Sequence, residues 1–238
     1  MTNVEPAVAI HGLEFGWRPG APILALESFE VGRTERVFLR GASGSGKSTL
    51  LGLIGGVLEP DAGRVRVLGQ DLAGLSRAGR DQFRASHVGF IFQMFNLIPY
   101  LSVLDNVLLP ARFSRVRAER AIAERPLEAE ARRLLAALGL DATDLLGRSV
   151  LALSHGQQQR VAAARALFGR PELVIADEPT SALDADLRTT FLALLNRECQ
   201  AAGAALLFVS HDTSLAPLFD RTVAMAELNA VTIAESGA

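Results

Sequence analysis

The nine residues Gly41-Ala42-Ser43-Gly44-Ser45-Gly46-Lys47-Ser48-Thr49 carry the densest chemistry in the chain and fit the pattern G-x-x-x-x-G-K-[ST] at every fixed position. Glycines at 41, 44 and 46 permit positive φ and keep side chains clear. Successive backbone N–H groups can then turn inward around a phosphate at the positive end of a following helix. From there Lys47 can reach the β- and γ-phosphates, and the Ser48 hydroxyl is placed to ligate Mg²⁺. Lys47 is the only lysine in 238 residues. A chain that uses arginine everywhere else has kept lysine where a compact charge on a flexible stem is needed.

Other polar residues stand directly after apolar runs. Asp177 and Glu178 follow Leu173-Val174-Ile175-Ala176, His211 comes just beyond Ala204 to Val209, and Gln93 ends the run His87 to Phe92. Asp177 has the character of a carboxylate that holds Mg²⁺ through water, complementing Ser48. Glu178 can act as general base on an attacking water. A neutral His211 imidazole can hydrogen-bond a γ-phosphate or that water, although a satisfied histidine at a strand end has the same signature. Gln93 offers an amide oxygen and nitrogen to both metal and water. Trp17, the sole tryptophan, sits in the turn Gly16 to Gly20 and reads equally as a hydrophobic plug or as a flat face for an adenine ring.

These residues need elements to position them. Glu35 to Arg40 alternates like a strand before the glycine loop, and Thr49 to Ile54 reads as a buried helix after it. Short strands are expected at Val8 to Ile10, Ile23 to Leu26 and Gly63 to Gly69, with a polar helix from Ser76 to Ala85. The middle third is helix-rich. Ser102 to Leu109 reads as a short helix ended by Pro110, and Ala118 to Leu138 as two helices meeting at Pro126. Leu153 to Arg160 opens a further helix that runs to Phe168. Asp184 to Ala201 is amphipathic, and residues 221–226 and 231–235 read as two closing edge strands. Strands alternate with helices, and the polar residues follow strand ends. In an open parallel sheet such positions converge on one crevice outside the carboxyl ends of the strands.

Composition narrows the classes. The hydrophobic content of 49% supports a sizeable core, and a formal charge of -2 does not mark the whole surface as a partner for nucleic acid, leaving local arginine clusters open. The single Cys199 excludes an internal disulfide and suits a reducing compartment. No run reaches the ~18 apolar residues of a membrane span, and no secretory signal opens the chain. The expectation is a cytosolic protein whose membrane work, if any, depends on another polypeptide. The four histidines do not cluster, and no serine has a nucleophile-elbow context.

Taken together, the motifs resemble the ATP-binding subunit of ABC transporters over nearly the whole chain. Gly41 to Thr49 matches the Walker A loop, Gln93 the Q-loop, and Leu153-Ser154-His155-Gly156-Gln157 the family signature. Leu173 to Glu178 matches Walker B with its catalytic glutamate, Ser181-Ala182-Leu183-Asp184 the D-loop, and His211 the switch histidine. The resemblance implies an α/β fold: a P-loop NTPase core with a mostly parallel sheet, an N-terminal antiparallel β portion and an inserted helical subdomain. The core would be 1–93 and 160–238, and the helical subdomain 94–159. It implies ATP and Mg²⁺ as cofactors, with Lys47, Gln93, Glu178 and His211 catalytic and Ser48, Gln93 and Asp177 around the metal. Two subunits, most simply identical, would sandwich two ATP molecules head to tail, with Ser154, Gly156 and Gln157 completing the opposite site. The other partner would be a membrane-spanning permease, with the chain peripheral on the cytoplasmic face.

Trp17 falls where that family stacks an aromatic on adenine, with Phe15 as the competing ring, and His155 replaces the commonest glycine of the signature. The stretch Val88 to Pro99, with Leu104 to Pro110, looks like the lipoprotein-release and macrolide-export branch. There Met94, Phe95, Leu97 and Leu101 form either a groove for a helix of the permease or ordinary core. The competing reading is a soluble ABC ATPase acting in translation or DNA repair, a class usually marked by fused cassettes, insertions or a basic surface.

Overall fold

The computed structural model describes residues 5–231 apart from 141–143, 182 and 184 and the side chains of 185 and 186. The chain begins with β1 (Val8–Phe15), β2 (Leu24–Val31) and β3 (Arg36–Arg40), then α1 (Lys47–Ile54), β4 (Ala62–Val67) and β5 (Gln70–Asp71). It continues through α2 (Arg77–His87), β6 (Val88–Ile91), α3 (Val103–Phe113), α4 (Arg115–Glu124), α5 (Leu127–Ala137) and α6 (His155–Leu167). Then come β7 (Leu173–Asp177), α7 (Ala185–Ala202), β8 (Ala205–Val209), β9 (Arg221–Ala224) and the short α8 (Met225–Leu228).

Two sheets result. One is antiparallel in the order β2-β1-β4-β5; the other is parallel in the order β6-β7-β8-β3-β9. In β1 the register against β4 shifts between His11 and Glu14, where Gly12 takes φ 57 and absorbs the bulge without strain.

The central strands are apolar on both faces, and their alternation feeds two cores. Val37, Leu39, Leu173, Ile175, Leu207 and Val209 point into the cluster shared with α1 and the antiparallel sheet. Phe38, Val174, Ala176, Leu206 and Phe208 point into the cluster shared with α3, α5, α6 and α7. Period-two side-chain direction in a sheet covered on both sides produces this division.

The helical segment is fastened to the sheet by buried polar groups. Asn106, fully buried in α3, accepts from the Ile98 N–H at 2.8 Å and donates to the Ile98 carbonyl at 3.1 Å, which fixes the loop that follows Gln93. Arg117 of α4 is buried and donates to the carbonyls of Phe168 at 2.7 Å, Val88 at 3.4 Å and Ala166. Burial, then the neighbouring Arg120, pushes its pKa down to about 9, so it remains cationic at neutral pH. Arg120 forks onto Glu172 at 2.7 and 2.6 Å, and His87 Nδ1 lies 3.1 Å from the same carboxylate.

Some expectations need correction. Pro110 does not end α3, which runs to Phe113; a proline removes one N–H donor, while its own carbonyl still accepts from Ser114 at 2.9 Å. Of the two closing strands the first forms, as the edge strand β9, and the chain then turns into α8. The second, apart from Val231, lies outside the described residues. Pro126 does separate two helices, as the residue that precedes α5.

Candidate functional site

The strand-to-helix turn after β3 sets the glycine loop. Gly44 and Gly46 take φ 77 and 92, left-handed values that favour glycine. Gly41 does not take a positive φ, contrary to the sequence expectation. A Cβ there would lie 2.7 Å from Ser45 Oγ and 2.8 Å from Met225 Cβ, so close packing is what demands glycine. Lys47 is largely buried and folds back, donating from Nζ to the carbonyls of Gly41 at 2.8 Å and Ala42 at 2.7 Å. The loop is thereby pinned at the amino terminus of α1.

Around this loop lies a cleft of about 560 Å³. It is lined by Ser43, Gly44, Gly46, Lys47, Ser48 and Thr49 of the loop, with Gln93, Asp177, Glu178, His211 and Trp17. Polar residues from the ends of β3, β6, β7 and β8 therefore meet at one place. Ile23 also lines it and was not singled out from sequence, where a lone apolar residue before a strand carries no signal.

Ser48 Oγ donates to Asp177 Oδ2 at 2.9 Å. Burial raises the Asp177 carboxyl above its ordinary value, with the Ser48 hydrogen bond working against it and the Glu178 charge working with it. Glu178 sits in a left-handed conformation, φ 46, unusual for a residue with a side chain, while its N–H donates to the Val209 carbonyl at 3.0 Å. That turn aims the carboxylate at His211, whose Nδ1 is 2.9 Å from Glu178 Oε2.

Trp17 is 65% exposed and Phe15 only 7%, the two rings meeting edge to face at 5.1 Å. Phe15 supports the ring from below, and Trp17 presents itself to the cleft. Gln93 is exposed, and the turn after it passes through Phe95 and Asn96, both left-handed, φ 59 and 47. Arg165 of α6 holds that turn by donating to the Asn96 and Phe95 carbonyls, each at 2.7 Å.

Ser154, Gly156 and Gln157 do not line the cleft. Ser154 caps α6: its Oγ accepts from the Gln157 N–H at 3.3 Å, and Gln157 Oε1 accepts from the Ser154 N–H at 2.9 Å. The open helix end presents further N–H groups, as an anion site requires. The His155 ring lies 6.4 Å from the Phe95 ring, beside the turn after Gln93. Gly41, Ala42 and Ser45 do not line the cleft, and among the described residues Ser45 Oγ is buried without a partner. Asp184 and Ala182 lie outside the described residues.

A second concavity of about 450 Å³ opens on the helical side, lined by Val57, Phe90, Phe92, Leu109, Pro110 and Phe113 among others. Of the groove residues expected from sequence only Met94 is strongly exposed, at 81%. Phe95 is buried, and Leu97 packs against the core. The groove is lined by Phe90 and Phe92, which precede Gln93, and by Phe113 at the end of α3.

Comparison with known proteins agrees with this geometry. Residues 25–181 match the family described as ABC transporter. The chain is 40% identical over 208 residues to the lipoprotein-releasing system ATP-binding protein LolD of Syntrophotalea carbinolica, covering 86% of this chain and 87% of that one. It is 41% identical to LolD of Anaeromyxobacter dehalogenans, covering 93% and 91%. The macrolide export ATP-binding/permease protein MacB of Rhodopirellula baltica is 38% identical over 92% of this chain but only 31% of its own length. Among solved structures, a dimeric ATP-binding cassette in a post-hydrolysis state bound to ADP and Pi superposes with TM-score 0.80 at 33% identity, covering 91% of this chain and 93% of that one. With the family match over residues 25–181, relatives about 40% identical over most of the chain and the fold shared, this chain belongs to the ABC transporter family as one of its ATP-binding cassettes.

Proposed function

We propose that the chain hydrolyses ATP bound in the cleft around Lys47 and that two cassettes closing on two nucleotides drive a separate membrane permease. The observation that carries this reading is the convergence of Lys47, Ser48, Gln93, Asp177, Glu178 and His211 on one cleft with Trp17 at its rim. Trp17 would stack on the adenine, backed by Phe15. The loop N–H groups would cradle the phosphates, for which Lys47 exchanges its two carbonyl partners.

The donors facing the cleft beside Ser48, which lies 2.9 Å from the Asp177 carboxylate, are oxygen groups that suit a hard cation. Ser48 and Gln93 would hold Mg²⁺ directly and Asp177 through water, and the ion would neutralise charge on the β- and γ-phosphate oxygens. Glu178 takes a proton from the attacking water, whose oxygen bonds to the γ-phosphorus. The bond from that phosphorus to the β,γ-bridging oxygen breaks, and ADP and phosphate leave. His211, hydrogen-bonded to Glu178, orients the carboxylate and the γ-phosphate. Ser154, Gly156 and Gln157 would offer the amino terminus of α6 to the nucleotide of the second cassette, and residues 94–159 would swing as a helical subdomain.

The LolD and MacB relatives favour transport over a soluble role in translation or DNA repair, and the dimeric neighbour favours a paired cassette. Among the described residues no helix is long and apolar enough to cross a membrane. A separate permease would grip the groove beside Phe92 and Phe113, with the cassette peripheral on the cytoplasmic face.

The test is Glu178→Gln, which removes the base and keeps the nucleotide contacts. Size-exclusion chromatography with Mg-ATP should give a stable dimer, and steady-state turnover should fall by at least about a hundredfold. A variant that stays monomeric with ATP and hydrolyses it like the wild type would end this assignment.

A further inference from the structure

Arg188 lies in the first turn of α7 and contacts two loops at once. One terminal nitrogen donates to the carboxylate of Asp212, and the other donates to the Leu183 carbonyl at 2.8 Å. Asp212 is the residue after His211, and Leu183 belongs to the segment that joins β7 and Glu178 to α7. A guanidinium is a rigid planar fork, so neither acceptor can move far without breaking or dragging the other bond.

The position is a poor one for helix stability. A cation in the first turn opposes the helix dipole, and it is tolerated where a carboxylate answers it. Asp212 gives that answer while also bonding the loop it starts: its Oδ1 accepts from the Ser214 N–H at 3.1 Å and hydroxyl at 2.6 Å. His211 therefore stands on a loop braced from α7 on one side and from the Ser214 turn on the other. The Arg188 side chain is 24% exposed and the Asp212 side chain 23%, sheltered enough for the pair to hold its geometry. Among the described residues Arg188 Nε is buried without a partner, and the contacts that aim the fork come from its two terminal nitrogens.

We propose that Arg188 is a positioning residue for hydrolysis: through Asp212 and the Leu183 carbonyl it makes the loop after Glu178 and the loop carrying His211 move as one unit. The proposal rests on the ATPase reading above. Arg188 lines no part of the cleft, so its effect must come through His211 and Glu178 and not through nucleotide contact. Loss of the tie should lower kcat and leave the KM for ATP close to that of the wild type.

The experiment compares the wild-type chain with Arg188→Gln, Arg188→Lys, Asp212→Asn and the double variant Arg188→Gln/Asp212→Asn, with steady-state ATP hydrolysis and thermal unfolding measured on each. Misplacement of a catalytic group by about 1 Å costs on the order of a hundredfold in rate, so kcat in Arg188→Gln should fall about ten- to a hundredfold with KM changed less than about threefold. Arg188→Lys should not restore it, since one ammonium cannot span both acceptors in the fork geometry. The double variant should lose no more than the worse single variant, because both substitutions break the same tie.

Wild-type kcat in a folded Arg188→Gln, full rescue by lysine, or losses that multiply in the double variant would each overturn the proposal and leave the ATPase reading standing. A wild-type chain that does not turn over ATP would overturn both.

Discussion

Gly44 and Gly46 show how one residue type serves two demands in one loop. At Gly44 a Cβ would meet nothing within 4 Å, so only the left-handed backbone asks for glycine. At Gly46 the backbone is left-handed and a Cβ would also stand 2.6 Å from Leu24 Cδ2. Gly44→Ala should cost about 1 to 2 kcal/mol, the strain of a left-handed residue with a Cβ. Gly46→Ala should cost more and displace the loop, and chemical denaturation of the two variants side by side should rank them in that order. The sequence marks both glycines but cannot tell them apart, because Leu24 meets Gly46 only in the fold. The same limit hid the reason for Gly41, assigned to φ from the motif and found to be a matter of packing. That Lys47, Asp177, Glu178 and His211 meet at one cleft was legible because each lies at, or within two residues of, the end of a strand or glycine loop whose pattern is local.

Among the elements, the helices were legible by periodicity and their fastenings were not. Arg117 and Arg120 lie in a run of mixed charges that carries no local mark of burial, and yet Arg117 is buried against three carbonyls. Their partners Phe168 and Glu172 are some fifty residues away in the chain, beyond the reach of any local pattern. Glu172 gives this junction a pH dependence. Burial alone would raise its carboxyl, but hydrogen bonds from His87 and Arg120 outweigh that and hold it near about 2, below an ordinary 4.5. A carboxyl depressed by folding adds stability that is fully present above the unfolded value and is lost as pH falls through the folded one. The stability difference between wild type and Glu172→Gln, from denaturant titrations, should therefore shrink steadily as pH falls from about 5 toward 2. A difference that grows on acidification would contradict this account of the junction.

At the scale of the whole molecule, the two concavities stand on either side of the Gln93 turn: the cleft takes Gln93, and the groove takes Phe92 and Asn96. A ligand pressing on one therefore shares a backbone segment with the other. Phe113 is 69% exposed at the groove mouth, an unusual cost in water for a large aromatic. Phe113→Asp should remove membrane proteins from a pulldown of tagged chain out of detergent-solubilised native membranes. The change in Trp17 fluorescence on adding ATP should persist. Retention of the same membrane partner by the variant would move the docking surface elsewhere. From sequence Met94, Phe95, Leu97 and Leu101 read as either groove or ordinary core; Phe95 and Leu97 are core and Met94 is exposed, since which face of a turn is exposed depends on the elements packed behind it.

The parallel sheet lends the odd-numbered apolar side chains of β3, β7 and β8 to one core and the even-numbered apolar ones of the same strands to the other. Neither core has a wall of its own there. If the helices around α5 and α6 melted, they would strip one face of the same strands whose other face closes the phosphate loop, and those strands would lose half their apolar cover. Heat should therefore take the molecule apart in one step. A calorimetric scan should give a single endotherm with equal calorimetric and van't Hoff enthalpies. Nucleotide bound at the loop alone should raise the melting of the distant helices by the same number of degrees.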